Sequence, residues 1–132
     1  MNFRYLTLLI LTLVLKKKIL VADDDPGIVD AMQILLEDEG YEVITTANAE
    51  TIQALYSHKP DLVFLDIWMS GVNGNDICKS LKADPEKKDV PIIMFSANRD
   101  TQQIAQQCGA DDLIAKPFEI KSLLKMVHKY LD

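Results

Sequence analysis

Cysteine is scarce in this chain, and its cysteines are not spaced as in a zinc site or a disulfide framework. The 132 residues contain only Cys78 and Cys108, and each lies within an apolar helical pattern. Cysteines that bind zinc or form disulfide frameworks come in larger, closely spaced sets. We therefore expect a reduced, cytoplasmic protein whose two thiols belong to the core.

Positive charge is also in short supply, which weighs against one class of partner. The chain has 14 Lys and Arg against 20 Asp and Glu, a formal net charge of −6. Proteins that bind nucleic acid through its phosphates use clustered positive charge. We therefore expect no direct contact with nucleic acid. The length and the 48% of hydrophobic residues are sufficient for one domain with its own core.

Long hydrophobic runs are missing except near the N-terminus. Residues 5–15 are almost wholly apolar, and Lys16, Lys17 and Lys18 follow them. A spanning helix needs about 17 to 25 apolar residues, and no cleavage site typical of a secretory signal follows the run. We interpret residues 1–16 as an extension outside a domain at 17–132. We expect this extension to pack as an extra helix or strand or to mediate self-association. A homodimer is therefore possible.

We do not expect membrane contact from this extension, because the apolar run is short for a span. If the segment does touch a membrane, the three lysines would hold the rest of the chain on the cytoplasmic side.

From residue 17 onward, short apolar runs of strand length alternate with longer segments of helical spacing. This alternation is typical of a parallel sheet covered by helices. The predicted strands are 17–22, 42–46, 62–65, 92–95 and 112–115, and the predicted helices are 28–36, 49–58, 75–83, 101–108 and 120–131. We therefore predict an α/β fold with a five-stranded parallel sheet and helices on both faces. We expect no effector domain after the last helix.

Polar side chains follow four of the five predicted strands. Asp23 and Asp24 follow the first, Asp66 the third, Ser96 the fourth and Lys116 the fifth. The carboxyl ends of parallel strands meet at one edge of an open sheet, where ligands bind. We therefore expect these side chains to converge on one site.

Carboxylates that converge in this way favour a bound cation. A pair 4 Å apart repels by about 4 kcal/mol at an effective dielectric near 20, and a cation removes this cost. A few oxygen ligands with room for water and a phosphate oxygen suit Mg²⁺. Asp25, just before Pro26, is placed to cap the following helix. We assign Asp25 to the cap and Asp23 and Asp24 to the metal.

Four segments together resemble the receiver domain of response regulators in two-component signalling. They are residues 18–26 (KILVADDDP), 61–71 (DLVFLDIWMSG), 90–97 (VPIIMFSA) and 109–118 (GADDLIAKPF). Their order and spacing fit that family from residue 17 to residue 132. The resemblance implies a (βα)5 flavodoxin-like fold and a switch that takes a phosphoryl group from the phosphohistidine of a sensor histidine kinase or phosphotransfer protein. The switch would then change its binding to a downstream protein, whose identity the sequence leaves unknown.

The resemblance also implies roles for individual residues. Asp66 would be the phosphorylated residue. Asp24 and Asp66 would contact Mg²⁺ directly, Asp23 largely through water, and Trp68 through its backbone carbonyl.

Two more residues would contact the phosphoryl group itself. The hydroxyl of Ser96 would donate to a phosphoryl oxygen. Lys116 would pair first with the Asp66 carboxylate and then with the phosphoryl group. The family has a cis bond before the proline that matches Pro117, so Lys116-Pro117 is a candidate for one.

The sequence departs from the family at several tuning positions. Leu113 stands where an aromatic residue is common, so the sequence leaves open whether the usual coupling between that position and the output face is intact. Ser70 stands where proline is frequent, which predicts a looser loop after Asp66. Trp68 and Asn98 flank the route of the attacking water. Our hypothesis is that Trp68 shields the acyl phosphate and that Asn98 orients a water.

Two other functions stay open. An Mg²⁺-dependent phosphatase with an aspartyl-phosphate intermediate would use the Asp-x-Asp pattern that starts at Asp23. The context weighs against it, because the better nucleophile, Asp66, lies on another strand. A receiver-fold module that is never phosphorylated would use its shape alone. We expect a signalling switch rather than an enzyme that turns over an external substrate.

Overall fold

The structure is a computed structural model and describes residues 2–96 and 107–132. The strands are β1 (Lys18–Ala22), β2 (Glu42–Thr46), β3 (Leu62–Asp66), β4 (Trp68–Met69), β5 (Val72–Asn73), β6 (Ile92–Ser96) and β7 (Asp112–Ala115). The helices are α1 (Phe3–Leu15), α2 (Pro26–Asp38), α3 (Ile52–Leu55), α4 (Gly74–Ala83) and α5 (Ile120–Leu131).

Within the described residues, the main sheet has five parallel strands in the order β2-β1-β3-β6-β7. This confirms the predicted parallel sheet. The chain runs from β1 outward to β2 and then returns to β3 on the other side of β1. The strand order therefore reverses between β1 and β3, and ligands bind at such a point in open α/β sheets. β4 and β5 form a separate antiparallel hairpin in the loop after β3.

The core consists of two hydrophobic clusters, one on each face of the sheet. Successive side chains of a strand point to opposite faces, so Val63 and Leu65 of β3 belong to one cluster and Leu62 and Phe64 to the other. The first cluster is completed by α3 and α4, through residues that include Ile52, Cys78 and Leu81. The second is completed by α2 and α5, through Met32, Leu36, Leu123 and Val127. Both cysteines are buried, as expected.

Some predicted helices differ from the structure. The helix predicted at 49–58 is one α-helical turn, α3, between 3₁₀ turns at Ala49–Thr51 and Tyr56–His58. Lys59 ends the segment with a left-handed φ of 56°, just before Pro60, which cannot continue a helix. Of the helix predicted at 101–108, residues 107 and 108 are helical and the remainder lies outside the described residues.

The two terminal helices differ in how they pack. The last predicted helix, 120–131, is α5, and its first residue, Ile120, is 53% exposed because it precedes the turns that pack on the sheet. The apolar N-terminal run forms α1, a helix of 13 residues. No helix in the described part of the chain is long and apolar enough to cross a membrane.

Candidate functional site

The acidic run after β1 divides into a helix cap and a pair of site residues. Asp25 Oδ1 accepts hydrogen bonds from the backbone N–H of Gly27 at 2.9 Å and Ile28 at 3.4 Å, so Asp25 is the N-cap of α2 as predicted. Asp23 is fully buried, and its Oδ1 accepts the N–H of Asp25 at 2.9 Å. Asp24 is exposed at the same edge of the sheet.

The end of β3 brings a third carboxylate to this pair. Carboxylate oxygens of Asp23, Asp24 and Asp66 lie within 4.8 Å of one another. The sequence predicted this convergence, because β1 and β3 are neighbours and both end at the same edge. The three form a group of oxygen donors that could hold a metal ion.

Lys116 follows β7 and points its ammonium group into the acidic cluster. Its Nζ lies 2.6 Å from Asp23 Oδ2 and 3.4 Å from Asp66 Oδ2. The Lys116-Pro117 bond is cis, which confirms that prediction. Lys116 is thus within ion-pair distance of Asp66, the partner expected for it before phosphorylation, and it lies still closer to Asp23, which the sequence analysis had not paired with it. Burial explains the shorter distance to Asp23, because a fully buried carboxylate needs a charged partner more than the partly exposed Asp66 does.

Burial and the charges in the cluster shift two pKa values. Burial and the neighbouring charge of Asp23 raise the pKa of Asp66 to about 6, although Lys116 partly opposes this shift. Burial lowers the pKa of Lys116, but its hydrogen bond to Asp23 and the charges of both carboxylates outweigh burial and raise the pKa above its ordinary value. Lys116 is therefore charged. Its charge does not fully offset burial and the charge of Asp23, so the ionised form of Asp66 stays unfavourable.

Ser96 lies between the Asp66 strand and the Lys116 strand. It is the last residue of β6, is 3% exposed, and its carbonyl accepts the N–H of Lys116 at 2.7 Å. In the register of the sheet, Phe95 is opposite Asp66 and Ser96 is opposite Ala115. Ser96 is therefore at the same strand-end edge as the acidic cluster.

Of the three predicted tuning positions, one is exposed beside the site, one is half-buried and one lies outside the described residues. Trp68 is 61% exposed beside the site, and its backbone N–H donates to Asp66 Oδ1 at 3.4 Å. Leu113 is half-buried and packs against the cluster that contains α4. Asn98 lies outside the described residues.

Ser70 is tied to the site, in contrast to the looser loop predicted for it. Its backbone N–H donates to Asp24 Oδ2 at 2.9 Å, and its hydroxyl donates to the carbonyl of Ala47 at 3.2 Å. Its φ is 50°. A proline has no N–H and has φ near −65°, so it could form neither the bond to Asp24 nor this turn. The residue replacing proline therefore gives the loop two anchors.

Gly74 is a site residue that the sequence analysis missed. A Cβ atom at this position would lie 2.2 Å from the backbone oxygen of Asp66 and 3.0 Å from backbone atoms of Ile67. Only glycine allows α4 to start this close to the end of β3. The signal in the sequence was a second glycine three residues after Gly71, at the start of a predicted helix.

The donor set of the cluster fits Mg²⁺. Its three side chains supply only carboxylate oxygens, which hard cations prefer, whereas zinc sites are usually rich in sulfur and imidazole. Asp24 is exposed, so there is access for water and for a phosphate oxygen. Both histidines are exposed and neither is in the cluster.

Comparison with known proteins identifies the family. Residues 19–128 match the response regulator receiver domain. The chain belongs to this family. Receiver domains are the switches of two-component signalling, so the predicted fold and function class are confirmed.

Curated relatives of the receiver domain include longer regulators. The DNA-binding response regulator MtrA of Mycolicibacterium smegmatis is 37% identical over 120 residues, which cover 89% of this chain and 51% of MtrA. The response regulator SaeR of Staphylococcus aureus is 37% identical over 115 residues, which cover 86% of this chain and 50% of SaeR. The chain spans about half the length of these relatives. Our expectation that the chain itself does not contact nucleic acid stays a prediction.

Solved structures of receiver domains share the fold. The chemotaxis response regulator CheY4 of Vibrio cholerae superimposes with a TM-score of 0.81 at 28% identity, covering 88% of this chain and 99% of CheY4. The receiver domain of a response regulator from Bermanella marisrubri gives a TM-score of 0.81 at 28% identity, and the match covers 89% of this chain and 99% of that domain. Both are similar over nearly the whole of their own length.

Proposed function

We propose that the Asp66 carboxylate accepts a phosphoryl group from the phosphohistidine of a sensor histidine kinase or a phosphotransfer protein. The observation that carries this proposal is the placement of Asp66 between two acidic side chains and one ammonium group. Its Oδ2 is 3.4 Å from Lys116 Nζ, and its carboxylate lies within 4.8 Å of those of Asp23 and Asp24.

The chain's own residues position the carboxylate and neutralise charge. A carboxylate is a weak nucleophile, and phosphoryl transfer depends on alignment and on positive charge around the equatorial oxygens. The N–H of Trp68 donates to one carboxylate oxygen of Asp66, and Lys116 faces the other. In the reaction, an oxygen of Asp66 bonds to phosphorus, the phosphorus–nitrogen bond breaks, and the imidazole of the donor leaves.

The groups that would hold Mg²⁺, together with Ser96, complete the proposed site. We assign Asp24, Asp66 and the backbone carbonyl of Trp68 as direct ligands of Mg²⁺, with Asp23 acting through water. When bound, Mg²⁺ would neutralise charge on the carboxylates and on the phosphoryl oxygens. Ser96 would donate its hydroxyl to a phosphoryl oxygen from the end of β6.

The output of the switch is a change in partner binding rather than turnover of a substrate. We assign the switch to residues 17–132 and leave residues 1–16 outside it. Its partners would be a kinase or phosphotransfer protein and a downstream protein, in the cytoplasm. The net charge of −6 supports a protein surface rather than nucleic acid as the target of this domain.

Intact mass spectrometry tests this function. The protein is incubated with acetyl phosphate, or with a phosphorylated kinase, in Mg²⁺ or in chelator. We expect a gain of one phosphoryl group per chain in Mg²⁺ and almost none in chelator. No gain with either donor would support the unphosphorylated interaction module instead. An equal gain in chelator would contradict the assigned role of the acidic cluster.

A turnover assay separates the switch from a phosphatase. We expect no multiple turnover of a phosphomonoester such as p-nitrophenyl phosphate. Turnover that survives Asp66→Asn would favour a phosphatase that uses Asp23 or Asp24 as its nucleophile.

A further inference from the structure

Helix α1 exposes its apolar side chains to solvent. Phe3 is 85% exposed and Leu8 is 62% exposed. Among residues 3–10, whose side chains the structure describes, the exposed large apolar ones are Phe3, Tyr5, Leu6, Leu8, Leu9 and Ile10. Soluble chains rarely leave so continuous an apolar patch in water, so an apolar partner is expected to cover it.

The exposed apolar residues surround most of the helix. At about 100° per residue they span roughly 220° of its circumference. A helix that pairs with a second copy, or docks in a groove, needs only a narrower apolar stripe on one side. An apolar surface of this width suits immersion in a continuous apolar medium.

Basic residues lie in the first turn of the helix and directly after its end. The first 18 residues include Arg4, Lys16, Lys17 and Lys18 and no acidic residue, although the chain as a whole carries −6. Lys16 and Lys17 are exposed immediately after α1 ends. Clustered basic residues beside an apolar helix are attracted to anionic lipid headgroups.

Two polar groups in the described part of the helix are satisfied locally. The hydroxyl of Thr7 donates to the carbonyl of Phe3 at 2.9 Å, and the side chain of Asn2 accepts the N–H of Arg4 at 3.0 Å. Polar groups that are bonded within their own helix cost less to transfer into lipid.

The length of α1 limits how it can enter a bilayer. At 1.5 Å per residue, its 13 residues measure about 20 Å, whereas the hydrocarbon core is about 30 Å thick. The helix is therefore too short to cross the bilayer.

We propose that α1 binds to the surface of an anionic lipid bilayer, inserted in one leaflet, with Lys16 and Lys17 at the headgroups. β1 begins at Lys18 and leads away from these lysines to Asp23. Its five residues span about 16 Å. The amino-terminal ends of the strands, where Lys18 lies, would therefore face the membrane. The acidic cluster at the carboxyl ends of the strands would stay open to a kinase. The sequence alone had not suggested membrane contact, and the exposure of α1 changes that expectation.

Vesicle co-sedimentation of the full chain tests this attachment. We use vesicles of phosphatidylcholine alone and vesicles in which about one-third of the lipid is phosphatidylglycerol. We expect binding to the anionic vesicles, and weaker binding by on the order of tenfold after Lys16→Gln with Lys17→Gln. The matched control changes Lys121 and Lys125, exposed lysines of α5, to Gln and should bind as the wild type does.

A second variant tests the role of the apolar surface. Leu9→Glu places a charge at an exposed position of α1 outside the two core clusters, so we expect vesicle binding to be lost while the circular dichroism spectrum of the domain is kept. Absence of binding to anionic vesicles would overturn the proposal. So would equal binding of the lysine variant, or a dimer in vesicle-free buffer that Leu9→Glu dissociates, since a second copy would then cover the helix.

Discussion

Asp66 is a partly buried carboxylate beside a second acidic group, and its ionised form is therefore unfavourable in the metal-free protein. Burial and Asp23 raise its pKa to about 6. A carboxylate whose pKa is higher in the folded state binds its proton more tightly there. The free energy of unfolding consequently falls as pH rises from the unfolded pKa near 4 to about 6.

Asp66→Asn should therefore stabilise the protein in chelator. We expect its free energy of unfolding to exceed that of the wild type by about 2 kcal/mol at pH 7. Near pH 4 the two proteins should be similar. Urea denaturation across this pH range measures the difference. Parallel curves for variant and wild type would show that ionised Asp66 costs nothing in the fold.

Ser70 offers a test of the loop that holds Asp24. Ser70→Pro removes the N–H donated to Asp24 and cannot adopt a φ of 50°. We expect it to lower the free energy of unfolding by about 2–3 kcal/mol. Ser70→Ala keeps the N–H and loses only the hydroxyl bond to Ala47, so its cost should be about 1 kcal/mol or less. Equal costs in urea denaturation would refute the role of the N–H.

Trp68 is 61% exposed beside Asp66, where its ring is available to cover a phosphoryl group from solvent. If it does, Trp68→Ala should hydrolyse the aspartyl phosphate several-fold faster than the wild type, and Trp68→Phe should fall between them. Loss of radiolabelled phosphate over time measures these rates. Unchanged or slower hydrolysis in Trp68→Ala would count against shielding.

At the scale of elements, the strands were predictable and one helix was not. Each central strand is a short apolar run bounded by polar or turn residues, as for β3 and β6, because strands buried on both faces need no polar alternation. The segment at 49–58 has helical spacing as well, but the Asn48 side chain caps a 3₁₀ turn there and Lys59 turns left-handed. The spacing of hydrophobic residues does not reveal local caps and turns of this kind.

Lys82 connects α4 to the loops around β6. Its Nζ lies 2.7 Å from Asp111 Oδ2 and 3.0 Å from the carbonyl of Val90, and Asp111 also accepts the N–H of Ile92 at 2.8 Å. The side chain of Lys82 is 17% exposed, whereas that of Asp111 is 36% exposed. This connection joins residues that are far apart in sequence, and nothing in the local pattern predicted it.

Lys82→Met should lower the free energy of unfolding by about 1–2 kcal/mol, since it leaves Asp111 and a backbone carbonyl without their charged partner. Lys79→Met provides the matched control, because Lys79 is an exposed residue of the same helix. We expect it to change stability by less than about 0.5 kcal/mol. Thermal or urea unfolding compares the two, and an equal effect would mean that Lys82 contributes only as a surface charge.

At the scale of the whole molecule, the sheet topology explains why the site was predictable. Parallel strands bring Asp23, Asp66, Ser96 and Lys116 to one edge whatever the intervening residues are, so their positions after strands were sufficient. The pairing inside the site was not predictable. The preference of Lys116 for Asp23 depends on burial, and the approach of Gly74 to Asp66 depends on how α4 docks. Both depend on three-dimensional packing rather than on spacing.

Site-specific phosphorylation tests the central claim most directly. Wild type, Asp66→Ala and Asp89→Ala are treated with acetyl phosphate and Mg²⁺ and compared by intact mass. Asp89 is an exposed aspartate outside the acidic cluster, so its variant is the control. We expect one phosphoryl group on the wild type and on Asp89→Ala, and none on Asp66→Ala. A full mass gain in Asp66→Ala would contradict the assignment of Asp66 as the phosphoacceptor.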